Sequence, residues 1–409
     1  LWKAPALITP RIVLCLGVSQ LVCWGISYYL IGLFGETIGA ELKWSPALVF
    51  GGFSAALFVM GAASPLTGRW IDRYGGRRIM VAGSLITALG CVLLAAATNV
   101  VTYYAAWAVL GIAMRFTLYD AAFAALARIG GPAARRPIAQ ITLLGGISSA
   151  VFWPIGSALA DAFGWRGAVL AYAGFALATI PLHLAVPAAR YADMPAASAR
   201  VSQPPLAGGR GGILLASALY GLSVALINVL NCALSAHMIN IMTGLGVGAS
   251  AAVWFSTFRG IGQTFARGSE ILFGRRLPPL DLNLLASLLL PMSFIIGLWS
   301  ATSSVAAVIF TLFYGAGNGI ATIARGTMPL VLFDPRTYGT VTGRLLAPSF
   351  FLGAAAPVTY AALMERYGAA AALHLSNAIA LVALTAASVL HWKFSPDRPF
   401  AAHRPRQVG

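Results

Sequence analysis

Charge is what this sequence has least of. Only 9% of its residues are Asp, Glu, Lys or Arg, against roughly 25% in a soluble domain, so a water-facing surface of ordinary composition cannot be built from it. Acidic side chains are the scarcest: 11 stand against 27 Lys and Arg, for a formal net charge of +16. Such a balance invites a nucleic-acid partner. The basic residues, however, fall in short loops between apolar runs and form no dense stripe that could track phosphates, so nucleic acid is excluded. Cysteine is nearly missing. Cys15, Cys23, Cys91 and Cys232 lie inside apolar segments with no CxxC pair and no His at ligand spacing, which excludes a metal centre and leaves them as packing residues. HExxH, GxSxG, paired-carboxylate and P-loop motifs are absent, as is a polar stretch long enough for a separate catalytic domain. Neither an enzyme nor an ATP-driven pump is therefore expected, and no cofactor.

What is present is apolar. Hydrophobic residues make up 59% of the chain and the mean hydropathy is +0.82, more apolar surface than one core could hide, so lipid is the solvent. Runs of about 20 residues, the length a helix needs to cross the bilayer, recur at 11–34, 47–67, 79–98, 101–127, 138–160 and 166–187, then at 212–238, 247–274, 282–301, 304–327, 338–363 and 369–392. The repetition rules out a lone signal peptide or anchor. The one long polar connection, 188–211, carries Arg190, Arg200 and Arg210 among Pro, Ala, Ser and Gly and reads as a flexible linker. An all-α membrane protein is predicted, with twelve transmembrane helices in two six-helix bundles, 1–187 and 212–392, and a tail over 393–409.

Loop charges give the orientation. Arg69, Arg73, Arg77 and Arg78, then Arg128, Arg135 and Arg136, the linker arginines, Arg275 and Arg276, and Lys393, Arg398, Arg404 and Arg406 all fall on the side of both termini. The opposite loops hold little beyond Glu36, Glu41, Lys43, Asp161, Arg166, Glu365 and Arg366. Because cytoplasmic loops carry the excess of Lys and Arg, both termini are expected in the cytoplasm.

Between the second and third spans runs Gly68-Arg69-Trp70-Ile71-Asp72-Arg73-Tyr74-Gly75-Gly76-Arg77-Arg78, of the form G-x-x-x-D-R-x-G-x-R-R. Gly68 permits close helix approach, Gly75 and Gly76 a tight turn, and Asp72 can accept charge-assisted hydrogen bonds from arginines or a helix end. The loop resembles the cytoplasmic signature of the major facilitator superfamily, at the place where that family carries it. The resemblance implies a monomeric secondary transporter in a bacterial plasma membrane, working by alternating access. It also implies that Gly68, Asp72, Arg73, Gly75 and Arg77 latch the two halves in one end state. The equivalent second-half loop, Gly274-Arg275-Arg276-Leu277-Pro278-Pro279, keeps the basic pair but lacks the Asp-Arg step, so any latch there should be weaker. Trp24-Gly25, Tyr28-Tyr29, Leu42-Lys43-Trp44-Ser45 and Gly164-Trp165-Arg166 are similar to bacterial members of the monocarboxylate and oxalate porter group.

Ionisable groups inside the membrane cost about 2.5–3.5 kcal/mol each on insertion scales and mark function or pairing. In span eight Ser256, Arg259, Gln263, Arg267 and Glu270 recur every three or four residues and form one polar stripe. Span four places Arg115 near mid-depth with Tyr119 a turn on. Asp120 falls about 140° round a regular helix from Arg115, so the two should not face the same partner. Span ten offers Tyr314, Asn318, Thr322 and Arg325, span seven Asn228, Asn231 and Ser235, and span one Gln20, Trp24 and Tyr28. The resemblance implies that these four spans surround the central cavity.

Two mid-depth arginines from opposite halves, Arg115 and Arg259, fit a small anionic substrate, since a guanidinium holds a carboxylate by two hydrogen bonds. The alternative is that each is structural glue. Candidate substrate contacts are Arg115, Arg259, Tyr28, Tyr119, Gln263, Asn231 and Asn318. Asp120 is the candidate proton-coupling carboxylate, its alternative being a salt bridge to a neighbouring helix. Arg267, Glu270 and Arg325 are read as gating residues near the terminal side. The expected function is proton-coupled transport of an organic anion, a carboxylate. Efflux of amphipathic compounds is the alternative, and a receptor on a transporter fold would bind without flux.

Overall fold

The structure is a computed structural model that describes residues 8–191, 204–273 and 277–395. The loop at Gly274, Arg275 and Arg276, half of the expected linker and nearly all of the expected tail lie outside the described residues. The helices are α1 (Pro10–Cys23), α2 (Leu30–Leu42), α3 (Pro46–Tyr74), α4 (Gly76–Ala95), α5 (Val100–Thr117), α6 (Tyr119–Gly130), α7 (Arg135–Gly146), α8 (Ser148–Ala178), α9 (Ile180–Leu184), α10 (Gly209–Gly244), α11 (Ala249–Phe273), α12 (Pro279–Gly297), α13 (Ser304–Thr327), α14 (Pro329–Leu332), α15 (Tyr338–Tyr367) and α16 (Ala369–Phe394). A π-helical turn, Trp24–Tyr28, joins α1 to α2.

Local chemistry sets the starts. Thr9 and Ser45 accept from Ile12 N–H and Leu48 N–H ahead of Pro10 and Pro46, and Asn99 with Thr102 forms a capping box. Gly75 (φ 89°) turns the chain between α3 and α4 in a conformation that an L side chain rarely adopts. Gly164 (φ 69°, ψ 168°) divides α8 into parts of two crossings.

Among the described residues ten helical stretches are long and apolar enough to cross a membrane. Two of these, 100–146 and 154–184, together contain the fourth, fifth and sixth spans, and the polar stripe keeps α11 below the apolar threshold. Twelve crossings result. Side chains such as Leu214, Val101, Phe265 and Val358 are largely exposed on the outer surface, which suits hydrocarbon. Two boundaries differ from expectation. Span one continues through the π turn to Leu42, and α10 begins at Gly209, inside the expected linker.

Packing within the first half repeats in the second. Span one lies on span five (α1 on α7), as seven lies on eleven (α10 on α15). Spans two and three pack on four, as eight and nine pack on ten, and three meets six as nine meets twelve. The halves join through α3 on α15 and α7 on α11, so the pseudo-symmetric bundles face each other across spans two and eleven and across five and eight.

Candidate functional site: a latch, a buried charge cluster and a central arginine

At the bundle end that carries the Gly68–Arg78 loop, the motif end, α3 crosses α15 on glycines. A Cβ at Gly68 would fall on the Gly339 carbonyl oxygen, and Gly343 lies beside it. This contact delivers Asp72 to the start of α15, where the N-cap Thr337 makes no side-chain cap. The carboxylate accepts from Gly339 N–H (3.0 Å), Thr340 N–H (2.6 Å) and the Thr340 hydroxyl (2.7 Å). Asp72 thus serves as a cap supplied by the opposite half, satisfying orphan donors at the positive end of a helix dipole. Arg128 braces it from α6, donating to the Asp72 carbonyl at 3.1 Å and to the Ala188 and Ala189 carbonyls. Arg128 entered the sequence reading only as a loop charge. Arg73 is exposed, its guanidinium 5.2 Å over the Tyr74 ring, and Arg77 is exposed in the first turn of α4. Asp72 shares its cleft with Arg69, Arg73, Arg190 and Arg336.

Asp72→Asn keeps the shape of this inter-half cap but removes its charge. Hydrogen bonds to a charged acceptor contribute about 1.5–3 kcal/mol and neutral ones about 1, so the closed motif end should lose roughly 1–2 kcal/mol, about a tenfold shift in population. Spin labels at Arg78 and Arg336, read by pulsed electron resonance, should show the motif ends moving apart. An unchanged distance distribution would remove Asp72 from this role.

Deeper, span four is not one helix. Leu118 is extended (φ −77°, ψ −176°), so α5 ends at Thr117 and a new helix starts at Tyr119 with Asp120 in its first turn. The break corrects the expected 140° separation: Arg115 Nη1 lies 3.4 Å from Asp120 Oδ2, and both side chains are almost fully buried. Arg325 of α13, in the other half, ion-pairs with the same carboxylate. Arg115 Nε also donates to Ser64 Oγ (3.0 Å), which in turn donates to the Gly343 carbonyl (2.7 Å). One carboxylate, two guanidiniums and a serine therefore bind the halves together just inside the Asp72 cap.

Mid-bundle, Arg259 of α11 stands in a different setting. Its Nη2 donates to Asn231 Oδ1 (2.8 Å) and Ser235 Oγ (2.9 Å), and the guanidinium lies 5.2 Å over the Tyr314 ring. Asn318 Nδ2 donates to the same Asn231 oxygen (3.0 Å), which fixes that amide as the acceptor. Among the described residues no carboxylate comes within 4.0 Å of Arg259. The first half contributes an aromatic wall. Trp24 packs against Tyr28 (4.8 Å between centroids), Tyr29 and Tyr119 (4.9 Å), and Tyr28 against Phe53 (5.0 Å). The π turn ends at Tyr28, and Tyr29 follows directly as its C-cap, which sets both rings on this wall.

Between this site and the motif end, Gln263 is half-buried against Gly319 of α13. Arg267 crosses to the first half, donating to the Thr142 carbonyl at 2.9 Å, which the Tyr119 hydroxyl shares at 3.1 Å, and to the Thr322 hydroxyl at 3.2 Å. Glu270 lies within electrostatic reach of Arg135, which donates to the Leu277 carbonyl. The structure thus gathers Arg259, Asn231 and Asn318 in one hydrogen-bonded group and Arg115, Asp120 and Arg325 in another. Ser64 and Thr142 were missed, because a lone hydroxyl and a backbone carbonyl on apolar helices carry no spacing signal, and Tyr29 entered only as part of the Tyr28-Tyr29 resemblance.

Residues 16–346 match the sequence profile of the Major Facilitator Superfamily. The chain belongs to that superfamily. It is accordingly a multi-pass membrane transporter and not an enzyme. Superfamily members of known structure superpose on nearly all of it. The human organic anion transporter MFSD10 (TETRAN) aligns with TM-score 0.70 at 17% identity, over 93% of this chain and 100% of that one. The proton:xylose symporter XylE aligns with TM-score 0.73 at 14% identity, over 97% of each chain. At such identities the likeness shows the fold alone. Monocarboxylate transporter 11 of Mus musculus is 30% identical over 173 residues, 39% of this chain and 35% of that protein. Monocarboxylate transporter 2 of Homo sapiens is 30% identical over 141 residues, 33% of this chain and 27% of that protein. These matches span about a third of each relative.

Proposed function

We propose that this transporter moves a small organic anion, a carboxylate, held by Arg259. The observation that supports this is a half-buried guanidinium between the halves with polar neighbours on one edge, an aromatic face beneath it and no described carboxylate to neutralise it. A planar fork so placed suits a carboxylate, with Asn231, Asn318, Gln263 and Tyr28 shaping its surroundings. The partial match to monocarboxylate transporters and the fold shared with an organic anion transporter point the same way. In this reading the halves, 1–187 and 212–392, rock about the central space in a monomer, with the motif end at the cytoplasmic face of a bacterial plasma membrane. Asp120 is the proposed coupling group. Its partner Arg325 belongs to the other half, so exchanging that guanidinium for a proton would tie proton entry to the parting of the halves. Arg115, engaged by Asp120 and Ser64, is assigned to this closed cluster rather than to the first substrate contact.

Uptake of radiolabelled carboxylates into proteoliposomes under an imposed pH gradient tests the proposal. Arg259→Gln should lower uptake by about 100-fold, the loss of two charge-assisted hydrogen bonds at about 1.5 kcal/mol each. Asp120→Asn should leave exchange but abolish accumulation. The aromatic wall of Trp24, Tyr28, Tyr29, Phe53 and Tyr119 favours one other reading, efflux of amphipathic compounds. Transport of such compounds that survives Arg259→Gln, with no carboxylate moved, would establish it instead.

A further inference from the structure

Arg267 is a buried cation that nothing in the described structure neutralises. Only 2% of the residue is exposed, no carboxylate lies within 4.0 Å among the described residues, and its Nε has no hydrogen-bond partner. Its two bonds go to neutral oxygens, the Thr142 carbonyl of α7 and the Thr322 hydroxyl of α13. Taking a guanidinium out of water costs several kcal/mol even after relaxation, and neutral dipoles recover only part of that. Gly146 leaves room for the guanidinium in this position: a Cβ there would make Nη1 move.

Arg267 also lies between Arg259 and the motif end of α11. It is eight residues from Arg259 on the same helix, about 12 Å toward the motif end at 1.5 Å per residue. Gln263 sits between them, and Tyr29 is within electrostatic reach of both guanidiniums. The bond to Thr142 spans the α7–α11 junction of the two halves, so it cannot survive motif-end opening.

We propose that Arg267 is a second anion station, which takes the substrate carboxylate over from Arg259 when opening of the motif end releases its guanidinium from Thr142. The inference rests on the carboxylate reading above. Two stations let the anion cross this stretch without meeting an uncompensated apolar barrier, and one visiting charge neutralises a cation that is otherwise alone.

Equilibrium binding of radiolabelled pyruvate, benzoate and oxalate to purified protein tests it, in the wild-type background and in Asp72→Asn, which is expected to shift the population about tenfold toward the open motif end. In the open background Arg267→Gln should weaken binding by about tenfold or more, the loss of at least one charge-assisted hydrogen bond. In the latched background its effect should stay within about threefold, because there Arg259 holds the anion. Arg259→Gln should show the reverse order. A mere strap between the halves would shift the Arg78–Arg336 distances without changing affinity at a given distance distribution, so both are read together. Should Arg267→Gln fail to fold, Arg267→Lys serves. It keeps the charge but loses the planar fork, and an open-state affinity equal to wild type would overturn the station. If wild type binds a probe and loses it with Arg259→Gln while Arg267 variants bind normally in the open background, the second station alone falls. If wild type binds none of the three, the carboxylate reading falls with it.

Discussion

Asp120→Ala is expected to destabilise the protein by about 3–5 kcal/mol, the usual consequence of removing one partner from a buried ion pair. The size follows from the stoichiometry of the cluster. Arg115 and Arg325 both depend on this carboxylate, so its loss leaves two guanidiniums facing each other among apolar side chains. Arg325→Met should cost much less, because the Arg115–Asp120 pair survives it and Arg325 itself is 21% exposed. That milder change should nevertheless open the motif end, since it cuts the inter-half ion pair. Thermal unfolding in detergent, monitored by size-exclusion chromatography, separates the two. If Asp120→Ala melts no lower than Arg325→Met, the carboxylate does not neutralise both arginines.

That cluster also marks where sequence reasoning stops. The helices, their number and the even crossing count were legible because an apolar run of spanning length admits few alternatives in lipid. The polar line on α11 was legible too, since the 3.6-residue period places Arg259, Gln263 and Arg267 along one strip. The pairing of Arg115 with Asp120 was not. On a regular helix they diverge, and the break that brings them together falls at Leu118, between Thr117 and Tyr119, with neither Gly nor Pro to announce it. The π turn at Trp24–Tyr28 and the break at Ile147 do carry glycines, Gly25 within the one and Gly145-Gly146 ahead of the other, but a glycine alone does not specify either irregularity. Such irregularities are set by tertiary packing, and they cluster at functional positions.

The latch divides in the same way. Asp72 stood out as a carboxylate in a basic loop, but its destination is the start of a helix 267 residues away in the chain, and no local rule gives that. A trace of the partner was nonetheless present: Gly339 and Gly343 are four residues apart, a small-xxx-small spacing that lets membrane helices approach closely.

The same spacing makes Gly68→Val the most disruptive single change at the junction. A Cβ at position 68 would fall on the Gly339 carbonyl oxygen, which is backbone and cannot swing aside, with Gly343 Cα next in line. Overpacking a core ordinarily costs about 1–3 kcal/mol because side chains yield. Here the helices themselves must separate, and separation withdraws Asp72 from the Gly339 and Thr340 amides and Ser64 from the Gly343 carbonyl. The variant should therefore lose the closed motif end almost entirely while each half stays folded. Labels at Arg78 and Arg336 should report only the longer distance, and uptake in proteoliposomes should fall by more than tenfold, a loss of about 1.4 kcal/mol or more. Gly68→Ala carries the same Cβ and should already shift the labels toward the longer distance, the further methyl groups of Val only completing the separation. A Gly68→Val protein that keeps the wild-type distance distribution would mean that α3 and α15 can slide past each other, and that the glycine contact does not set the closed state.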